Sequence, residues 1–192
     1  MMINVPTKDE VVQTATDLHE ARIAFDNAIR MTNDLGYAMD LAGMMFAGNS
    51  YGTKIQSWLE RKYGWDPIPQ TLNEGDFHAK NNPLVELKIS ILALSNSSQA
   101  NFLNLRLDTP VEKYLFIVRN TPKQYTKIFF APKEAVKYMV DTFKEGRYNK
   151  HKREHANIRV DVNSILWDDD PELNMWSYLH QYEITEDELA NL

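Results

Sequence analysis

The sequence predicts an α/β (α+β) fold. Three observations carry this: helical apolar periodicity through about residue 65, a change to short strand patterns from about Gly75, and a return to helix in an acidic tail from Asp168. With 192 residues, 43% of them hydrophobic, the chain is long enough to bury a core, and no repeat or long linker divides it. The expectation is one compact domain over 1–192, with a helical part (1–65), a sheet core (66–167) and an acidic helical tail (168–192).

The elements follow in order. Thr7 and Glu10 have the spacing of a capping box, and Val11, Ala15, Leu18, Ala21, Phe25, Ala28 and Ile29 recur at helical intervals. A long first helix is therefore predicted to about Leu35, ended by Gly36. Tyr37–Phe46 and Thr53–Tyr63 read as two more helices, stopped by Gly48 and Gly64. After Pro67 and Pro69 the predicted strands are 76–79, 84–92, 102–107, 114–119, 127–130 and 157–162, with a helix over 132–143 and two tail helices near 171–182 and 185–192.

Composition limits the chemistry. There is no cysteine, which removes disulfides and thiolate zinc sites, so a bound metal must be held by oxygen or imidazole. The first ten residues lack the basic stretch and apolar run of a signal peptide, and no segment approaches roughly 18 apolar residues. A soluble, cytoplasmic protein with no membrane partner is expected. The net charge of −6 is unevenly distributed: Asp168–Leu192 holds eight acids and no Lys or Arg, and with those acids set aside the rest of the chain is +2. Lys144–His155 carries Lys144, Arg147, Lys150, Lys152 and Arg153 against Glu145 and Glu154, a stretch able to grip phosphate.

Leu84–Leu92 is the most informative segment. Alternation puts Val85, Leu87, Ile89 and Ile91 on one strand face and Glu86, Lys88 and Ser90 on the other, with Glu86 and Lys88 roughly 6 to 7 Å apart along the strand. Asp76 opens a shorter strand upstream, and the turn-forming run Lys80-Asn81-Asn82-Pro83 would fold it back so that Asp76 lies beside Glu86. Phosphodiester hydrolysis calls for such a group. Two carboxylates hold Mg²⁺, the metal polarises phosphate and acidifies water, and a lysine orients the water and offsets developing charge. The Leu87 carbonyl is a further oxygen ligand on the same strand.

These residues resemble the PD-(D/E)xK nuclease superfamily: Gly75-Asp76, nine intervening residues, then Glu86-Leu87-Lys88. The resemblance covers roughly Gly52–Val140. It implies a restriction-endonuclease-like mixed central sheet flanked by helices, Asp76 and Glu86 as ligands of Mg²⁺ (or Mn²⁺), and Lys88 as the catalytic lysine. Phe102-Leu103-Asn104-Leu105-Arg106-Leu107 is similar to the strand that follows the motif in restriction-type members; separately, Arg106 and Arg119 could contact DNA phosphate. The helix before the motif commonly carries an acid; Gln56 stands at that place here, with Glu60 one turn on as the substitute. Gly75 stands where the motif's name has proline.

Bland readings accompany the sharp ones. Glu86 and Lys88 would also suit a solvated strand face. Arg106 and Arg119 would suit local ion pairs, and His78 a surface position sharing Asp76's face. His151 and His155 have helical metal-pair spacing without a third ligand. Gly43–Ser50 has asparagine where a phosphate loop needs lysine, so it reads as packed helix. Asp168-Asp169-Asp170 reads as solvated helix capping. The leading expectation is a Mg²⁺-dependent endonuclease acting on double-stranded DNA as a homodimer. Its alternatives are a non-enzymatic, DNA-mimicking accessory protein and an exonuclease or repair nuclease of the same fold.

Overall fold

The computed structural model describes residues 7–46, 49–69, 75–79, 83–93, 98–149 and 155–192. They fall into two compact units, Met1–Trp58 and Leu59–Leu192.

The first unit is helical. α1 (Lys8–Met31) starts at the expected capping box: Thr7 N–H donates to Glu10 Oε2 at 2.7 Å, and Glu10 N–H donates to Thr7 Oγ1 at 3.3 Å. It ends about one turn before the expected Leu35, because Asp34 caps a new helix by accepting Tyr37 N–H at 2.7 Å. Gly36 thus lies in the first turn of α2 (Leu35–Met45) and does not terminate α1. α2 continues through Gly43–Met45, but Gly43 and Met44 are exposed, so this part of the run is helical without being packed; Ala47 and Gly48 lie outside the described residues. It buries Leu35, Ala38, Met39, Leu41 and Ala42. α3 (Asn49–Tyr63) begins earlier than expected, and Trp58 Nε1 ties it back to Thr32 O at 2.9 Å. Along α1 only Ile29 is buried; Val11 and Leu18 of the predicted apolar stripe are 53% and 58% exposed.

The second unit opens with the end of α3, stopped at Gly64 (φ +68°). Its main sheet, among the described residues, has six strands in the order β1 (Asp66–Pro67), β2 (Phe77–His78), β3 (Leu84–Leu92), β5 (Lys113–Asn120), β6 (Tyr125–Pro132), β9 (Glu183–Ile184). β3 and β5 run parallel and every other pairing is antiparallel, so the sheet is mixed, as expected. β4 (Gln99–Arg106), β8 (His155–Asp161) and β7 (Gly146–Tyr148) form a second, antiparallel sheet. The helices are α4 (Lys133–Thr142), α5 (Met175–His180) and α6 (Glu186–Leu189).

One apolar core joins these layers. Tyr114, Phe116 and Val118 of β5 and Phe129 of β6 meet Ala100, Phe102, Leu105, Ile158 and Val160 of the second sheet, with Val136 and Met139 of α4 and Trp176 and Leu179 of α5. Glu86, Lys88 and Ser90 pair across the ladder with Tyr114, Phe116 and Val118, so the polar face of β3 lies at the rim of this core. Ser90 Oγ accepts Asn101 N–H from β4 at 3.1 Å. A freely solvated face is therefore excluded for Glu86 and Ser90, which are 2% and 6% exposed.

Other expectations are corrected. His155 begins a strand, so helical spacing to His151 does not apply; His151 lies outside the described residues. Part of the charged run after Lys144 is the strand β7. Asp168–Asp170 are exposed, but Asp170 makes no side-chain cap bond to the short 3-10 turn Pro171–Leu173; the cap in this region is Asn174, which accepts Ser177 N–H at 2.9 Å. The tail's acids also find cations within the unit, Glu183 with Lys127 (2.6 Å) and Glu186 with Lys62 (3.1 Å). Among the described residues, no helix is long and apolar enough to cross a membrane.

Gly75 is held by backbone geometry. Its φ is +117°, and a Cβ there would stand 2.8 Å from Val85 O. Gly75→Ala is expected to destabilise the protein by about 2 kcal/mol, read from the urea midpoint, because neither the strand carbonyl nor the dihedral can give.

Candidate active site

The short β2 strand and the long β3 strand bring the acids together. Phe77 pairs with Val85 and His78 with Leu84, which sets Asp76, one residue before β2, against Glu86. Two bonds fix it there: Asp76 N–H donates to Val85 O at 2.7 Å, and Leu87 N–H donates to Asp76 Oδ2 at 2.6 Å. Gly75 permits the approach, since any side chain would strike Val85 O.

Glu86 is the centre of the charge cluster. Lys88 Nζ lies 2.7 Å from Oε1. Arg106, at the end of β4, places Nε 3.2 and 3.1 Å from the two carboxylate oxygens and also donates from Nη2 to Oε2. Tyr114 OH and Thr109 Oγ1 both donate to Arg106 O, at 2.8 and 2.9 Å, and hold the strand end in place. Burial works against the Arg106 charge, but the Glu86 hydrogen bonds and charge outweigh it and raise its pKa. Tyr114 is raised too, first by burial and then by the Glu86 charge.

Asp76 is pushed up to about 6. Burial is the main cause and the neighbouring Glu86 charge the second; the Leu87 N–H, Lys88 and Arg106 oppose them without prevailing. A carboxylate with this titration point exchanges its proton near neutral pH, and a second charge nearby favours any cation that can enter.

Of the residues expected in the centre, Asp76, Glu86, Leu87 and Lys88 are brought together, and Arg106 joins them. Arg106 was read as a DNA contact; its guanidinium is instead turned onto Glu86. Gln56 and Glu60 are half-buried one turn apart on α3, the former in the helical unit and the latter in the sheet unit. Lys144 follows α4 and Arg147 lies on β7, while Lys150, Lys152 and Arg153 lie outside the described residues. His78 is half-buried, and its Nδ1 has no hydrogen-bond partner. Tyr114 and Thr109 were missed by sequence reading. A phenol two strands away in the chain carries no local mark of its partner, although a tyrosine heading the apolar run Leu115–Val118 hints at a buried hydrogen bond.

The donor set for a metal can be tested against this geometry. Asp76 and Glu86 supply two hard oxygen donors of the kind Mg²⁺ takes, with water and phosphate completing its shell. Among the described residues no group of three or more His, Asp or Glu side chains could hold an ion. Both oxygens of Glu86 already receive cationic donors, so an ion there must displace a Lys88 or an Arg106 contact. The donors fit in kind.

No family model matches this chain, and no curated protein matches it.

Proposed function

We propose that the protein is a Mg²⁺-dependent endonuclease acting on double-stranded DNA, of the restriction-endonuclease-like PD-(D/E)xK type, with Asp76, Glu86 and Lys88 at its centre. The observation that carries this is the convergence of two acids and an amine from adjacent antiparallel strands: Asp76 is close enough to Glu86 for that charge to lift its pKa, and Lys88 Nζ stands 2.7 Å from Glu86.

When bound, the metal would polarise the scissile phosphate and acidify a water molecule. The protein's own groups do the rest. Asp76 and Glu86 hold the ion, with the Leu87 carbonyl as a further oxygen. Lys88 orients the attacking water and offsets charge on the phosphate, which it can do only after leaving Glu86. Arg106 positions Glu86 and keeps its buried charge neutralised when no ion is present. Glu60 would complete the shell from the end of α3. Cutting both strands calls for two centres, hence a homodimer, and the exposed apolar residues of α1 such as Val11 and Leu18 offer a surface for it.

The test is nicking of supercoiled plasmid. Wild type should cut with Mg²⁺ and not with EDTA, and Lys88→Ala should be slower by about a hundredfold, the scale of removing one transition-state donor. Equal nicking by both proteins, or cutting unaffected by EDTA, would overturn the reading.

A further inference from the structure

The outer face of the second sheet has no part in the Glu86 cluster. On β8, Ala156, Ile158 and Val160 point into the core while Asn157 and Arg159 face away; on β4, Ala100 and Phe102 are buried while Asn101 and Leu103 face away. Over these residues lies an open cavity of about 410 Å³, lined also by Arg147 of the neighbouring β7 and by Lys144. Three cations thus surround it against the single acid Glu145, in a chain whose net charge is −6.

The cations are available for a ligand. Lys144 reaches Glu145 only at 3.9 Å and its side chain is 91% exposed. Neither Arg147 nor Arg159 has a carboxylate within ion-pair distance among the described residues. The polar groups between them are held in place: Asn157 Oδ1 accepts Asn104 N–H at 2.8 Å, at a bulge where Asn104 takes φ +54° and the β4–β8 register shifts. That bond anchors the Asn157 side chain, which lines the cavity.

We propose that this face is a DNA-reading surface, in which Arg147, Arg159 and Lys144 hold the phosphate backbone of a duplex while Asn157 and Asn101 meet base edges. The ligand's identity rests on the nuclease reading above. The chemistry favours it on three counts. Guanidinium forks match phosphate oxygens. Carboxamides offer the paired donor and acceptor that adenine presents in the major groove, and an antiparallel sheet is a known form for entering a groove. Leu103, 59% exposed beside them, is an apolar group suited to a thymine methyl. The same strand runs from Asn101 and Leu103 to Arg106, so DNA seated on β4 is mechanically joined to the clamp on Glu86.

The experiment is fluorescence anisotropy of a labelled mixed-sequence duplex in EDTA over a salt series, with wild type and with Arg147→Gln/Arg159→Gln. Both positions are surface residues, and matched circular dichroism melts verify that the double variant folds. The double variant is expected to bind about tenfold more weakly at physiological salt, with the slope of log K against log salt reduced by about 2, one per lost phosphate contact. Unchanged affinity and slope overturn the surface, as does tighter binding of a heparin oligosaccharide than of the duplex with the same loss in the variant. Plasmid cleavage keeps the two readings apart. Cutting by wild type with unchanged binding and cutting by the double variant removes this surface and leaves the nuclease. Duplex binding that depends on Arg147 and Arg159 in a protein that never cuts removes the nuclease and leaves the surface.

Discussion

Arg106→Ala is expected to lose about 3 kcal/mol of stability, near the lower end of what breaking a buried ion pair costs. The reason lies in what the substitution leaves behind. Glu86 is 2% exposed; Arg106 donates to both oxygens of its carboxylate, and Lys88 Nζ lies 2.7 Å from Oε1. Without the guanidinium, Oε2 loses its Arg106 donors, at a place where the arginine side chain itself was only 19% exposed and water compensates poorly. Arg106→Lys should fall between, because an ammonium satisfies one oxygen and cannot fork across two. Removing the charge as well, in Glu86→Gln/Arg106→Ala, should cost clearly less than the two single changes added together, and a double-mutant cycle by urea denaturation measures the difference. A loss under 1 kcal/mol for Arg106→Ala would mean that the carboxylate is solvated or protonated in place. The variant also bears on the metal. With one Glu86 oxygen released, Mg²⁺ should raise the melting temperature of Arg106→Ala more than that of wild type, since binding to the folded state alone stabilises it.

Legibility followed how local each signal was. The capping box at Thr7 and Glu10, the bounds of β3, and the convergence of Asp76 with Glu86 depend on residues near one another in the chain or on a hairpin with plain turn chemistry. The α1–α2 break was misplaced because Gly36 is the louder signal, yet Asp34 satisfies the N-terminal amides of a new helix and decides the matter. The two-residue strands β1 and β9 carry too little pattern to be seen, and β7 was hidden by charge: Arg147 and Tyr148 look like loop until β8 is there to pair with them. The ion-pair reading of Arg106 was legible as a type, but not its partner: the crossing of β4 near β3, which turns it onto Glu86, depends on the packing of two sheets and has no signature in either strand.

Asp76→Asn is expected to make the protein more stable at pH 8 by about 2 kcal/mol, while removing its capacity to bind Mg²⁺. The folded-state pKa of Asp76 is about 6, above its ordinary value of 3.8. Between those two values the folded protein holds a proton that the unfolded chain releases, so stability falls as pH rises through that window and the cost is complete above about pH 6. A shift of this size corresponds to about 3 kcal/mol, of which some is recovered by relaxation around the charge. Asparagine has the same shape and keeps an oxygen for the Leu87 N–H that now binds Oδ2 at 2.6 Å, so it removes the charge with little else. The stability gap between variant and wild type should therefore narrow as pH falls from 6 and close only below the ordinary value of 3.8, where Asp76 is protonated in both the folded and the unfolded state. A variant less stable than wild type at pH 8 would show that attraction to Lys88 and Arg106 outweighs burial at this carboxylate. Cation binding follows the same window in reverse: below about pH 6 protons compete for Asp76, so stabilisation by Mg²⁺ should fade on acidification in wild type and be absent throughout in the variant. An acid kept at a cost to stability, and relieved of that cost by a divalent ion, is what distinguishes a metal-holding carboxylate from one retained only to pair with Lys88 and Arg106.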